Sequence, residues 1–346
     1  MESALSFDSF KSRLKTNDTS WNQASVSSNK QISQNEFEHL INQWTGIICV
    51  FVHGYDESFV DSARDCALVS SELEKKMQKE NINVLPVLFS WPSLNSTSEY
   101  ASDETNLNWS KLPFREFMEM MAFRKGDRAR LYLIAHSLGA RMAFDLTNSK
   151  SLVENPSIDK LLLSSSDYDY HMALQRKNAL ETLIAERVYI LVSDRDGPLI
   201  TSQLLHGSPR LGRPLDPPSV SRQPKDYARK SFWQSLLTEA VDLIAPDSGY
   251  DSPDAQKWLK NGSAQAVKFG VKTRLFDVTE LVTADFGHRL AWPVISSLLA
   301  EDSVYPLGTS VVYKKPDKLI LEQSGSAPSY LFQYNRIVKE RYLNQP

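Results

Sequence analysis

Ala-His-Ser-Leu-Gly at positions 135 to 139 lies between the apolar run Leu131-Tyr132-Leu133-Ile134 and the helix-compatible run Arg141-Met142-Ala143-Phe144. Ser137 therefore occupies a strand-to-helix corner. So tight a turn requires small residues two before and two after the serine, here Ala135 and Gly139, because larger side chains would collide with the flanking backbone. A serine placed there stands exposed above the sheet, at the positive end of the following helix, where it can attack a carbonyl carbon. The same position also suits a plain helix N-cap, so the nucleophile reading needs a base and an acid elsewhere in the chain.

A serine hydroxyl ionises far above neutral pH, so a base must take its proton during attack, and an acid must hold that base in the right tautomer. One chain order of such a set is nucleophile, acid, histidine, each on the loop after a strand. The apolar run Arg187 to Val192 ends in Ser193-Asp194-Arg195-Asp196-Gly197, and the run Thr273 to Val278 is followed by a loop containing Asp285-Phe286-Gly287-His288. Asp196 and His288 fall where acid and base should be. Among the six histidines, His288 is the only one on a loop downstream of both Ser137 and the acidic turn. Asp194 competes with Asp196, an acidic turn also serves Asx hydrogen bonding, and His288 also fits a helix N-terminus.

Acyl transfer needs two backbone N–H groups for the oxyanion. Leu138, just past the nucleophile, supplies one, and Tyr55 in Phe51-Val52-His53-Gly54-Tyr55 supplies the other, with Gly54 letting the backbone approach the substrate. Loss of one such donor costs on the order of 3 kcal/mol of transition-state stabilisation. His53 has no partners at metal-ligand spacing and is expected to brace this loop.

These positions must be held by strand ends. Apolar runs that read as buried parallel strands recur at Ile47 to Val52, Val84 to Trp91, Ala129 to Ile134, Lys160 to Ser164, Arg187 to Val192 and Thr273 to Val278. Helix-period segments lie between them, with Phe59, Ala63, Cys66, Ala67, Leu73 and Met77 on one face and Ala291, Val294, Ile295, Leu298 and Leu299 on another. The alternation predicts an α/β fold, a mostly parallel, doubly wound sheet with its chemistry at the carboxyl ends of the strands. Residues 1–35, rich in Ser, Asn, Gln and Lys, form a loose or weakly helical leader, and the main domain spans 36–301. A helical insertion over about 211–270, either a pocket lid or plain packing, precedes the last strand, Thr273 to Val278. Residues 302–346 carry a hairpin, Ser310 to Lys314 against Lys318 to Glu322, and an amphipathic helix with Leu331, Tyr334, Ile337, Val338 and Tyr342. This extension either packs on its own domain or joins a protein partner or a second copy.

Composition excludes other classes. With 39 basic and 42 acidic residues dispersed along 346, there is no electrostatic footprint for nucleic acid, and the lysines at 314, 315 and 318 read as a solvated turn. No stretch has the length of a signal-peptide core or a membrane span. Cys49 and Cys66 sit on apolar faces and fit buried free thiols in a reducing cytoplasm. His39, His171 and His206 show no zinc spacing, and the turn at 193–197 lacks the carboxylates of a calcium loop, so no metal or cofactor is expected.

Phe-Val-His-Gly-Tyr (51 to 55), Ser-Trp-Pro-Ser (90 to 93), Tyr100 with Asp103-Glu104, Ala-His-Ser-Leu-Gly (135 to 139), Ser193-x-x-Asp196-x-x-Leu199 and Gly287-His288 occur in an order that resembles one branch of the alpha/beta hydrolases. The branch is an esterase- or lipase-like domain of unknown function, number 900, and the resemblance covers about residues 45 to 300. It implies the alpha/beta-hydrolase fold and a triad of Ser137, Asp196 and His288. It also implies that Trp91 forms the pocket rim, or else a turn fixed by proline, and Gly54 and His136 are expected at the same pocket. The chain departs from the pattern at Asn95, at Pro198 and in the insertion, which bear on pocket shape. The function expected is cleavage of a small-molecule ester or thioester in the cytoplasm. The alternatives are acyl transfer from the same acyl-enzyme, or a partner-binding protein that keeps the fold without catalysis.

Overall fold

The structure, a computed structural model, describes residues 32–94, 96, 99–193, 196–213, 272–278, 288, 290, 292–300, 310–313 and 319–321. Most of the expected leader, nearly all of the 211–270 insertion, the 314–318 lysines and the terminal amphipathic segment lie outside these residues. The first described helix, Gln34–Gln43, starts at the end of the expected leader, and Ser33 caps it in a reciprocal box with Glu36.

Among the described residues, eight strands form one sheet: β1 (Gly46–Val52), β2 (Val84–Phe89), β3 (Ala129–His136), β4 (Ile158–Ser164), β5 (Ile184–Val192), β6 (Thr273–Asp277), β7 (Ser310–Tyr313) and β8 (Leu319–Leu321). Their order is β2-β1-β3-β4-β5-β6-β7-β8. All neighbours are parallel except β7 and β8, so the two strands of the expected hairpin extend the main sheet rather than standing apart from it. Pro86 lies in β2, at the sheet edge, where its missing N–H interrupts no ladder.

Both faces of the sheet are covered, and side-chain alternation sorts the core accordingly. Ile48, Val50 and Val52 of β1 join Leu131, Leu133 and Ala135 of β3 on one face, under Leu107, Phe114, Met118 and Met121 of the helix Tyr100–Arg124. Ile47, Cys49, Phe51, Tyr132 and Ile134 face the other way. There they meet Cys66, Leu73 and Met77 of the helix Phe59–Met77, and Ile295, Leu298 and Leu299 of the helix Trp292–Ala300. The expected apolar face of the first of these helices is thus the packed one, with Phe59 only half-buried at its start. Ala291, expected beside Ile295, lies outside the described residues.

Chain direction across the sheet reverses once, between β1 and β3, and ligands of open parallel sheets bind beyond the strand ends at such a point. Val52 pairs with both Phe89 and Ala135. The segments that follow β1, β2 and β3 consequently start level with one another, and they carry His53-Gly54-Tyr55, Trp91 and Ser137-Leu138.

Candidate active site

Strand β3 runs into a single tight turn, Ser137–Gly139, and then the helix Ala140–Asp145. Ser137 has φ +51°, a left-handed conformation that is strained for a residue with a Cβ and costs on the order of 1–3 kcal/mol. Such strain persists only where surroundings enforce it. Here β1 does so: a Cβ on Gly139 would stand 2.5 Å from the His53 carbonyl oxygen and 3.0 Å from that of Val52. No side-chain hydrogen bond caps either helical segment of the elbow, so Ser137 is not serving as an N-cap. Nor is it exposed as the bare elbow geometry suggests, because it is only 4% accessible.

His288 lies against it. Its Nε2 is 2.8 Å from Ser137 Oγ, and its Nδ1 is 2.7 Å from Asp196 Oδ1. Because Asp196 only accepts when ionised, Nδ1 donates to it, which leaves Nε2 to accept from the serine hydroxyl. Asp196 is fully buried and caps the helix Gly197–His206, its Oδ1 also accepting from Leu199 N at 2.9 Å. Burial pushes the His288 pKa down, but the Asp196 charge and hydrogen bond, with smaller contributions from Asp167 and Glu57, more than reverse this, so it lies above the ordinary imidazole value. A base so placed can take the proton of Ser137 as Oγ attacks an electrophilic carbon. Asp194 lies outside the described residues.

The family model described as alpha/beta hydrolase of unknown function (DUF900) matches residues 28–260. The chain belongs to this family. No curated protein and no solved structure matches it. The matched span holds Ser137 and Asp196 but ends before His288, short of the 45 to 300 expected, so the place of His288 rests on the contacts above. Among the described residues, no helix is long and apolar enough to cross a membrane, and no His, Cys, Asp and Glu cluster could hold a metal ion.

In this member of the family the loop after β1 is braced against the loop after β2. His53 Nδ1 lies 2.9 Å from the Gly54 carbonyl oxygen, and its Nε2 lies 3.1 Å from both the main-chain N and O of Trp91. Trp91 Nε1 donates in return to the His53 carbonyl at 3.0 Å, and the two rings stack with centroids 5.0 Å apart. Burial lowers the His53 pKa. Trp91, expected at the pocket rim or in a turn fixed by proline, packs on His53 and is 2% exposed. Asp103, buried on the long helix, accepts from Ser93 Oγ at 2.6 Å and from Leu94 N at 2.8 Å, which pins the Trp-Pro-Ser turn.

Gly54 meets the nucleophile directly. A Cβ on it would lie 2.8 Å from Ser137 Cβ and 3.1 Å from His136 Nδ1. Leu138 is buried behind the elbow, and Tyr55 sets its ring edge-on to Tyr100 at 5.2 Å. His136, also expected at the pocket, meets Glu57 through Nδ1 and the main chain of His288 through Nε2.

Sequence reasoning passed over Asp167, three residues beyond the end of β4 and as much a strand-end acid as Asp196. Its carboxylate accepts from Tyr100 OH and, at 2.6 Å, from Ser202 Oγ. Arg210 Nε is 3.3 Å away and Arg141 Nη2 3.4 Å. Burial would raise its pKa, but the two guanidinium groups hold it below the usual carboxylate range. Its N–H donates to the Ser137 carbonyl at 3.0 Å, so this buried cluster supports the elbow from below.

Proposed function

We propose that the protein is a serine hydrolase that cleaves carboxylic esters or thioesters of small molecules through an acyl-enzyme on Ser137. Ser137 Oγ adds to the substrate carbonyl while His288 Nε2 takes its proton, and Asp196 steadies the imidazolium. The amides of Tyr55 and Leu138 receive the oxyanion, a role supported by the close approach of Gly54 to Ser137. The tetrahedral adduct collapses as His288 returns the proton to the departing alkoxide or thiolate. Water then attacks the acyl-enzyme with His288 again as base, releasing the acid and restoring the serine. The scheme needs no metal and no cofactor.

The observation that carries this reading is the imidazole of His288 held between Ser137 Oγ at 2.8 Å and Asp196 Oδ1 at 2.7 Å, beside a serine in a strained left-handed turn. Two free, buried thiols, Cys49 and Cys66, support a reducing compartment such as the cytoplasm. The test is hydrolysis of p-nitrophenyl acyl esters together with labelling by a fluorophosphonate. Ser137→Ala should lose both, with a rate loss of about a million-fold. Labelling that survives the substitution overturns the proposal.

A further inference from the structure

A second histidine–carboxylate pair stands beside the first. His136 Nδ1 is 3.0 Å from Glu57 Oε1, and His136 Nε2 is 3.0 Å from the His288 carbonyl oxygen. The two imidazole rings lie with centroids 5.1 Å apart at 45°. We infer that Glu57 and His136 are positioning residues that clamp the His288 main chain and thereby aim its ring at Ser137, an inference that rests on the serine-hydrolase reading above.

The argument is one of donors and acceptors. A backbone carbonyl only accepts, and so does an ionised carboxylate. Burial alone would raise the Glu57 carboxyl, but the hydrogen bond and charge of His136, with smaller help from His53 and Ser62, outweigh it and hold it at about 2. Glu57 Oε1 also receives the Gly54 N–H and so is an acceptor; His136 thus faces an acceptor at each ring nitrogen and donates from both. Glu57 is itself fixed by Ser62 Oγ at 3.2 Å and by Gly54 N at 3.4 Å. The titratable groups facing His136 are Glu57, His53 from the β1 loop and His288; His53 is kept neutral by burial.

Geometry explains why this matters. Among the described residues, His288 has three polar contacts: its ring meets Ser137 and Asp196, and its main chain meets His136. The dipeptide His136-Ser137 thus holds both the backbone and the Nε2 of the same histidine, so the base is registered to the segment that carries the nucleophile. Displacement of a catalytic group by about 1 Å can cost on the order of a hundredfold in rate.

The test compares the full-length protein with Glu57→Ala and Glu57→Gln, using nitrogen-15 histidine NMR and kcat per fluorophosphonate-titrated site. Wild-type His136 should carry a proton on each ring nitrogen. Glu57→Ala should lower kcat per titrated site on the order of tenfold or more, with KM little changed, and should broaden the His288 Nδ1 proton resonance. Glu57→Gln, whose amide can donate to Nδ1 while Nε2–H stays on the carbonyl, should recover most of that loss. A merely structural role would reduce the number of titratable sites but not the turnover of each. Wild-type turnover per site in Glu57→Ala, or a single proton on wild-type His136, overturns the clamp. If the hydrolase reading itself fails, the two NMR signatures still decide the clamp on their own.

Discussion

Gly54 comes so close to Ser137 that a side chain on the glycine would put its Cβ 2.8 Å from the serine Cβ. Two strand ends that are parallel neighbours, β1 and β3, are thereby joined into one site without an intervening layer of side chains. Gly54→Ala should leave the circular dichroism of the sheet intact while kcat/KM towards a p-nitrophenyl ester falls on the order of a hundredfold, because the elbow and the proposed oxyanion loop must move apart. Wild-type kinetics in this variant would show that the contact tolerates a methyl group and does not shape the site.

Activity should rise with pH as His288 loses its proton, with the midpoint above the ordinary imidazole value of 6.5. The sign follows from the role, since only the neutral ring accepts from Ser137. Asp196→Asn removes the charge that raises the pKa, so the acid limb of kcat/KM should move to lower pH while kcat falls by about ten-thousandfold. The linked stability has the complementary sign: the His288–Asp196 ion pair contributes fully below the unfolded pKa and its contribution is lost as pH rises through the folded one.

Trp91→Phe keeps an aromatic ring against His53 but removes the indole donor to the His53 carbonyl. A buried carbonyl left without its partner costs about 1–3 kcal/mol. Urea unfolding should show a lower midpoint at an unchanged slope, and turnover should fall as the loop that carries Gly54 loosens.

Asp167→Asn leaves Arg210 and Arg141 facing an uncharged amide in a buried cluster. Breaking a buried ion pair from one side destabilises by about 3–5 kcal/mol, which equilibrium unfolding near neutral pH will measure. Because the folded-state pKa of Asp167 is depressed, the wild-type advantage is present above the ordinary carboxylate value of 3.8 and disappears as pH falls through the folded value. The gap between the two proteins should therefore close in acid.

Six strands of the sheet were legible as apolar runs, because a strand covered on both faces leaves no polar alternation to hide it. Their ends shifted by a few residues: β2 stops at Phe89, before Trp91, whereas β3 continues through His136. The helix Tyr100–Arg124 escaped the periodicity reading. Trp109, Leu112 and Phe123 are exposed apolar residues on it, and they blur the stripe that Leu107, Phe114, Met118 and Met121 bury.

Within the site, the order Ser137, Asp196, His288 was readable because each residue follows an apolar run at a strand end, a local signal. The partners of each side chain were not. Asp167 and Asp196 look alike as strand-end acids, yet only Asp196 meets His288. Likewise His136 and Trp91 turn towards Glu57 and His53 rather than to open space.

From the residues alone came the alternation of strand and helix, the tight turn at Ser137 with small residues at 135 and 139, and a glycine at 54 where backbone must approach the site. These follow from periodicity and chain sterics, which act over a few residues. Tertiary structure decided which acid meets which histidine, and that His288 lies against Ser137 while His136 lies against Glu57 and a main-chain carbonyl. Hydrogen bonds have direction, and the ones that matter here join residues 92 and 151 positions apart, so only the packing of the sheet ends could select them.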